Sequence, residues 1–192
     1  MEDDDTGGTV SSAIVRFTND TELALRGGVW LVNSAEPPDT LTTVAELDAW
    51  MAPNPWTGRR DGDAAELEAV RALRPALREL LAAERDDAAA IVNRMLAEAQ
   101  ALPQLVRHGD LDWHIHAVDQ DAPLAERVVV EVAMAMVDVI RADELSRLSV
   151  CDDAHCEALV LDLTRNRSRR FCSVTCTNRN AVAAYRARRR GA

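Results

Sequence analysis

The chain has 192 residues, of which 47% are hydrophobic, 28% are charged and only 4% are aromatic. This composition excludes a disordered chain and a large multidomain enzyme, and it predicts a core of Ala, Leu and Val, which favours helices. The formal net charge is -10, yet 11 of the 22 basic residues and only 6 of the 32 acidic residues lie in residues 141–192. We therefore expect an acidic body that ends in a basic tail, a pattern typical of segments that contact polyanions.

The N-terminal segment, residues 1–12, is rich in Asp, Gly and Ser, and we expect a disordered acidic leader there. It lacks the basic and apolar regions of a secretory signal. The longest apolar run, Val128–Ile140, contains two acidic residues and is shorter than the roughly 20 residues that cross a bilayer. The sequence therefore predicts a cytoplasmic protein without membrane contact, in which thiols stay reduced.

Capping patterns mark the first predicted helices. Glu22–Ser34 is apolar but contains a Gly-Gly pair, which predicts either a helix or a helix that turns into a strand. Thr43 and Glu46 form a capping box before a short helix that ends at Pro53. The turn-rich segment 53–62 predicts a loop.

A longer amphipathic helix follows this loop. Asp63 and Glu66 repeat the capping-box pattern, and Pro75 is expected to kink or divide the helix because proline lacks an amide donor. A further helix is predicted over Asp87–Ala101. The apolar residues of the amphipathic helix recur at three- and four-residue intervals, as Leu67, Val70, Leu73, Leu77, Leu80 and Leu81.

The next segment changes to the two-residue period of a half-buried strand. Apolar residues alternate with Asp112, His114 and His116, so we expect the histidines to face the solvent rather than to bind a metal. With 104–107 before it and 108–110 as the turn, the segment predicts a β-hairpin. Asp121 and Pro123 then open a long helix that ends near residue 141.

The body shows no nucleophile with a nearby base and no phosphate-binding glycine loop, so we do not expect an enzyme. Trp30, Trp50, Trp56 and Trp113 either belong to the core, as tryptophans at such spacings more often do, or line the pocket of a small-molecule effector.

The strongest signal is the cysteine pattern, Cys151-x4-Cys156 followed by Cys172-x3-Cys176. Two close pairs of cysteines can present four thiolates to one Zn²⁺, which leaves no open position for catalysis and predicts a structural ion. Disulfides and buried or redox-active thiols are the alternatives, and His155 is an alternative ligand. A disulfide would need an oxidising compartment.

The last predicted helix begins after Ser173, a plausible N-cap, and runs to about residue 189. On a helical projection the apolar side contains Val174 and Tyr185, whereas Arg179, Arg186 and Arg190 cluster on the other side. The sequence therefore predicts an arginine face on a helix that is tied to the metal through Cys176.

Several segments of this region resemble the CGNR zinc finger of bacterial proteins. They are the first cysteine pair, LDLTRN at 161–166, RRFCS at 169–173, CTNR at 176–179 and AAYRAR at 183–188. The residue after the last cysteine is Thr177, where that family has glycine. Segments 23–25, 31–34 and 41–50 resemble the opening motifs of its N-terminal partner, the ABATE-like domain of stress-induced transcription regulators.

Together these observations predict a mainly α (α+β) protein. Residues 13–148 would form a helical regulatory domain with a β-hairpin, and residues 149–192 a four-cysteine zinc finger that ends in a basic helix. The resemblance implies double-stranded DNA as the partner and transcription regulation as the function. Because one finger buries little surface, a homodimer is expected.

Arginine pairs with guanine and asparagine with adenine in the major groove, which makes Asn178, Arg179 and Asn180 the candidates for base reading. Phosphate contacts position a protein without reading sequence. Two alternatives stay open: a protein-interaction adaptor whose finger docks on an acidic partner, and arginines that only offset the charge of the thiolates. The candidates for phosphate contacts are Arg167, Arg169, Arg170, Arg186, Arg189 and Arg190.

Overall fold

The computed structural model describes residues 17–52, 56–107 and 112–190. The predicted leader, the first residues of the predicted loop at 53–55 and the predicted hairpin turn with residue 111 lie outside these ranges. The predicted mainly helical architecture is confirmed. In chain order the helices are α1 (Asn19–Asn33), α2 (Val44–Met51), α3 (Ala64–Ala72), α4 (Arg74–Leu81), α5 (Arg85–Glu98), α6 (Leu124–Arg141) and α7 (Val174–Arg190).

Two small antiparallel hairpins accompany the helices. In the first, β1 (Gln104–Val106) pairs with β2 (His114–His116). In the second, β3 (Leu148–Val150) pairs with β4 (Leu159–Leu161) just before the basic tail. A 3-10 turn at 145–147 leads into β3, where the sequence predicts a helical turn.

The helix α1 continues through its Gly-Gly pair, because the two glycines permit close packing and do not end the helix. A Cβ atom added at Gly28 would lie 3.0 Å from a methyl group of Val132 in α6. A Cβ atom at Gly27 would lie 2.7 Å from the indole ring of Trp56. The pair thus allows α1 to approach α6 and the segment before α3.

The helix predicted from Asp87 begins at Arg85, and Pro123 rather than Asp121 is the N-cap residue of α6.

The capping residues predicted for α2 and α3 are present, with one difference. Thr43 and Glu46 form the reciprocal capping box at the start of α2. At α3, Asp63 accepts a hydrogen bond from the amide of Glu66. The carboxylate of Glu66 instead accepts from the amides of Asp61 and Gly62, so it orders the loop before the cap.

Pro75 divides the predicted long helix into α3 and α4, because it occupies the first turn of α4, where no intrahelical amide donor is needed. The core joins buried side chains from all six helices of the body and from β4. Its largest fully buried members are Leu25, Leu31, Leu41, Leu47, Leu77, Leu80, Leu81, Leu124, Met136 and Leu159.

The orientation expected for the first hairpin is wrong. Trp113 is 64% exposed and Ile115 is 43% exposed, whereas His114 and His116 are partly buried. The Nε2 atoms of the two rings lie 3.0 Å apart, and Nδ1 of His114 lies 2.7 Å from the carbonyl oxygen of Asp112. The polar face therefore turns towards the body with its two imidazoles in contact with each other, and the apolar face points to the solvent.

Candidate zinc centre and basic helix

Two short turns and a helix start bring the four cysteines together. Cys151 follows β3, Cys156 ends the next turn, Cys172 precedes α7 and Cys176 lies in its first turn. All four sulfur atoms lie within 4.8 Å of one another. The Sγ atoms of Cys156 and Cys172 are 3.6 Å apart, and those of Cys172 and Cys176 are 3.8 Å apart.

These distances fit zinc and not disulfides. A Zn–S bond of about 2.3 Å in a tetrahedron places neighbouring sulfurs about 3.8 Å apart, whereas a disulfide needs about 2.05 Å. All four cysteines are free thiols. The group contains only cysteines, so His155 is outside the ligand set. The four cysteines form the site of one structural Zn²⁺.

The surroundings of the sulfurs also fit a cation. The amide of Cys172 points at Sγ of Cys151, at an N–S distance of 3.4 Å, which stabilises a thiolate. Burial and the neighbouring thiol of Cys156 raise the pKa of Cys172 to about 12 when no metal is present. A divalent ion removes that penalty because it binds the deprotonated form.

One buried carboxylate connects the first cysteine turn to α7. Asp153, whose side chain is 1% exposed, accepts hydrogen bonds from the amide of His155 at 3.0 Å, from the guanidinium of Arg179 at 3.1 Å and from the amide group of Asn180 at 2.9 Å. The amide of His155 and the charge of Arg179 hold the pKa of Asp153 below its usual value. Two of the predicted base-reading residues thus have structural partners within the finger.

A second carboxylate orders the basic turn between β4 and Cys172. Asp162 accepts from the amide and hydroxyl of Thr164 and from the amide of Arg169. The side chain of Arg169 donates to the carbonyl oxygens of Phe171 and Cys172. This turn therefore has a fixed shape.

Two other arginines of the turn form ion pairs. Arg167 contacts Glu144 at 2.6 Å, and Arg170 contacts Asp152 at 2.5 Å. Their side chains remain 43% and 72% exposed, so both can still meet a phosphate from the outside.

The remaining predicted contacts lie along α7, on its exposed surface. Asn178, Arg186 and Arg190 are exposed and have no hydrogen bond or ion pair with a described residue, and Arg189 lies over the ring of Tyr185 at 6.0 Å. Beyond Asn180 every described residue of α7 is exposed. The helix therefore projects from the zinc centre with its arginines accessible.

Sequence reasoning missed both organising carboxylates, Asp153 and Asp162. A signal for Asp162 exists, since an Asp two residues before a Thr favours a local turn that the carboxylate closes. Asp153 gives the same local signal through the amide of His155, but its contacts with Arg179 and Asn180 lie 26 and 27 positions away and leave no signal in the sequence.

None of the helices in the described ranges has the length and apolar composition needed to span a bilayer.

The segment that carries the cysteines packs directly against the helical body, since Leu159 and Leu161 of β4 belong to the main core.

Comparison with known families agrees with this architecture. Residues 26–143 match the ABATE family, described as "Putative stress-induced transcription regulator", and residues 147–189 match the CGNR zinc finger. Both are regulator or zinc-finger families and not enzyme families. No curated protein matches the chain. Because the first match covers more than half of its length, the chain belongs to the ABATE family of transcription regulators and carries a C-terminal CGNR zinc finger.

Proposed function

We propose that this protein is a cytoplasmic, non-enzymatic transcription regulator that binds double-stranded DNA through α7. The observation that carries the proposal is an exposed basic helix on an acidic chain. From Thr164 onward the sequence contains nine arginines and no acidic residue, although the whole chain has a net charge of -10. Clustered guanidinium groups of this kind supply the phosphate contacts of nucleic-acid-binding proteins.

The hydrogen bonds divide the predicted contacts into two groups. Arg179 and Asn180 hold α7 against the first cysteine turn through Asp153, so we assign them to positioning. Asn178, Arg186 and Arg190 are exposed, so we assign to them the direct contacts with DNA. Arg167, Arg169, Arg170 and Arg189 would neutralise further phosphates.

The division of charge also supports an orientation. The helical body carries most of the 32 acidic residues and would be repelled by the duplex. We infer that the finger meets DNA while the residues of the proposed regulatory domain, 13–148, point away. One finger buries little surface, so we include a homodimer that presents two fingers in the proposal.

The test is binding of the full-length protein to a random-sequence duplex of about 30 base pairs over a series of salt concentrations. We expect the double variant Arg186→Ala, Arg190→Ala to bind about tenfold more weakly and the slope of log affinity against log salt to fall by about 2, because two phosphate contacts are lost.

The matched control is Arg94→Ala with Arg107→Ala, which removes the same charge from exposed positions of the body. If both double variants lose the same affinity, the effect is one of net charge and the assignment of α7 is wrong. Light scattering of the same samples tests the dimer.

A protein-docking adaptor is the second candidate, and one observation favours it. Val174, Val182 and Tyr185 on the apolar side of α7 are 75%, 47% and 54% exposed. Apolar side chains suit a protein partner better than a phosphate backbone. Affinity for DNA that does not change with salt, or an absence of DNA binding at low salt, would favour this candidate.

A further inference from the structure

A cavity lies between the helical body and the second strand of the first hairpin, remote in sequence from the cysteines. It is bounded by the start of α1, by residues 112–116 at β2 and by the middle of α6, and its volume is about 350 Å³. Pockets for small molecules begin at about this size. The inference concerns this cavity alone and stands whether or not the finger binds DNA.

Four acidic residues are among those that line the cavity. They are Asp20 of α1, Asp112 before β2, and Glu131 and Asp138 of α6. The described lining contains no arginine, and the chain contains no lysine. Because the four carboxylates outnumber the two lining imidazoles, His114 and His116, the lining disfavours an anion.

Glu131 is a largely buried member of this acidic group. Its carboxylate has no hydrogen bond or ion pair with a described residue, whereas Asp138 accepts a hydrogen bond from the hydroxyl of Thr21 at 2.7 Å. The nearest compensating charge on α6 belongs to Arg127. That guanidinium donates to the backbone carbonyl oxygens of residues 57, 59 and 122, so it does not pair with Glu131.

Apolar and aromatic residues make up much of the remaining lining. They are Trp56, Trp113 and Met134, together with Leu23 and Ala135. Indole rings attract organic cations through their π face.

A metal ion is not the expected occupant of the cavity. Among the described residues, the four cysteines are the one group that brings three or more metal-binding side chains within reach of a single ion. The acidic residues of the cavity therefore do not offer three ligands to one divalent cation, whereas an organic cation needs only one carboxylate.

We propose that this cavity binds an organic ammonium cation that carries an apolar group, with the ammonium against Glu131 and the apolar group between Trp56 and Trp113. The ammonium supplies the charge that the buried carboxylate lacks. The apolar group contacts the aromatic residues of the lining, where its transfer from water is favourable.

The test is calorimetric titration of the full-length protein, at about pH 8 so that Glu131 is ionised, with three probes of similar shape. They are phenethylammonium, the neutral 2-phenylethanol and the anionic 3-phenylpropionate. We expect phenethylammonium to bind at least about tenfold more tightly than the alcohol, and the carboxylate not to bind.

A matched pair of variants locates the binding. Glu131→Gln keeps the shape of the side chain and is expected to weaken phenethylammonium binding by about tenfold while it leaves the alcohol unchanged. Glu126→Gln, on the same helix but outside the lining, is expected to bind like the natural sequence.

The relative affinities of the natural sequence for the three probes test the proposal even if Glu131→Gln folds poorly. Equal affinity for phenethylammonium and the alcohol, preference for the carboxylate, or no binding of any probe would overturn the proposal. It is also overturned if folded Glu131→Gln binds phenethylammonium as tightly as Glu126→Gln does.

Discussion

Asn33 at the end of α1 and Leu159 in β4 hold each other through two hydrogen bonds. The side-chain amide of Asn33 donates to the carbonyl oxygen of Leu159 at 2.8 Å, and its Oδ1 atom accepts from the amide of Leu159 at 2.7 Å. Leu159 is 1% exposed, so no water replaces this partner. The side chain of one helix residue thus completes the backbone bonding of a strand of the zinc finger.

The first prediction concerns this contact. Asn33→Ala leaves two buried backbone groups of Leu159 without partners, and we expect it to lower the free energy of unfolding by about 3 kcal/mol. Denaturant titration measures the change. Asn93→Ala, which truncates an exposed asparagine of α5, should lower it by less than about 0.5 kcal/mol. Equal effects of the two variants would contradict a specific role of the contact.

The second prediction concerns the metal. We expect elemental analysis to find one zinc per chain, and Cys172→Ser to lose it, because three sulfurs bind zinc more weakly than four. Thr175→Ala, an exposed neighbour of the ligands without a role in the site, should keep the full amount. A folded protein that contains no zinc would contradict the site.

The third prediction links the metal to the helical body. All four tryptophans precede residue 114, so tryptophan fluorescence reports on the body and not on the finger. Because Leu159 and Leu161 belong to the main core, we expect chelation of zinc to lower the Tm measured by this fluorescence. An unchanged Tm after complete removal of zinc would mean that the finger and the body unfold independently.

Local features of the chain were predictable from sequence. The capping box of Thr43 with Glu46 and the division of the helix at Pro75 depend on residues within one helical turn. The zinc ligands were predictable for a related reason, since each cysteine pair needs only one short turn to place its two sulfurs. These features do not require knowledge of which surfaces pack together.

Features that depend on distant partners were not predictable. The two-residue period of β2 predicts alternation but not which face meets the body, and the structure turns the face with His114 and His116 inward. Arginine and asparagine suit a DNA base and a buried carboxylate equally well. Only the fold brings Asp153 to Arg179 and Asn180.

The fourth prediction separates positioning from charge in the finger. Asp153→Ala and Asp152→Ala each remove one negative charge, which by electrostatics alone should tighten binding to DNA slightly. Because Asp153 holds Arg179 and Asn180, we expect its variant to keep zinc but to bind DNA about tenfold more weakly. Fluorescence anisotropy with a labelled duplex measures the DNA affinity of both variants. If the Asp153 variant binds as tightly as the Asp152 variant, the contact does not position α7.

The last prediction concerns the pH dependence of stability at Glu131. Burial raises the pKa of this carboxyl from 4.5 to about 7, with a further increase from Asp20 and an opposing effect of Arg127. His114, His116 and Asp138 also face the cavity. Because the pKa in the folded state is the higher one, the folded protein holds the proton more tightly, and the stability that this provides is lost as the pH rises through about 7.

We therefore expect Glu131→Gln to raise the free energy of unfolding by up to about 3 kcal/mol at about pH 8 and to change it little at about pH 4, where both states of the natural protein are protonated. Denaturant titrations at the two pH values measure the difference. Glu126→Gln on the same helix should show no such dependence. A larger gain at the acidic pH than at the basic one would reverse the sign and exclude a buried, uncompensated carboxylate at this position.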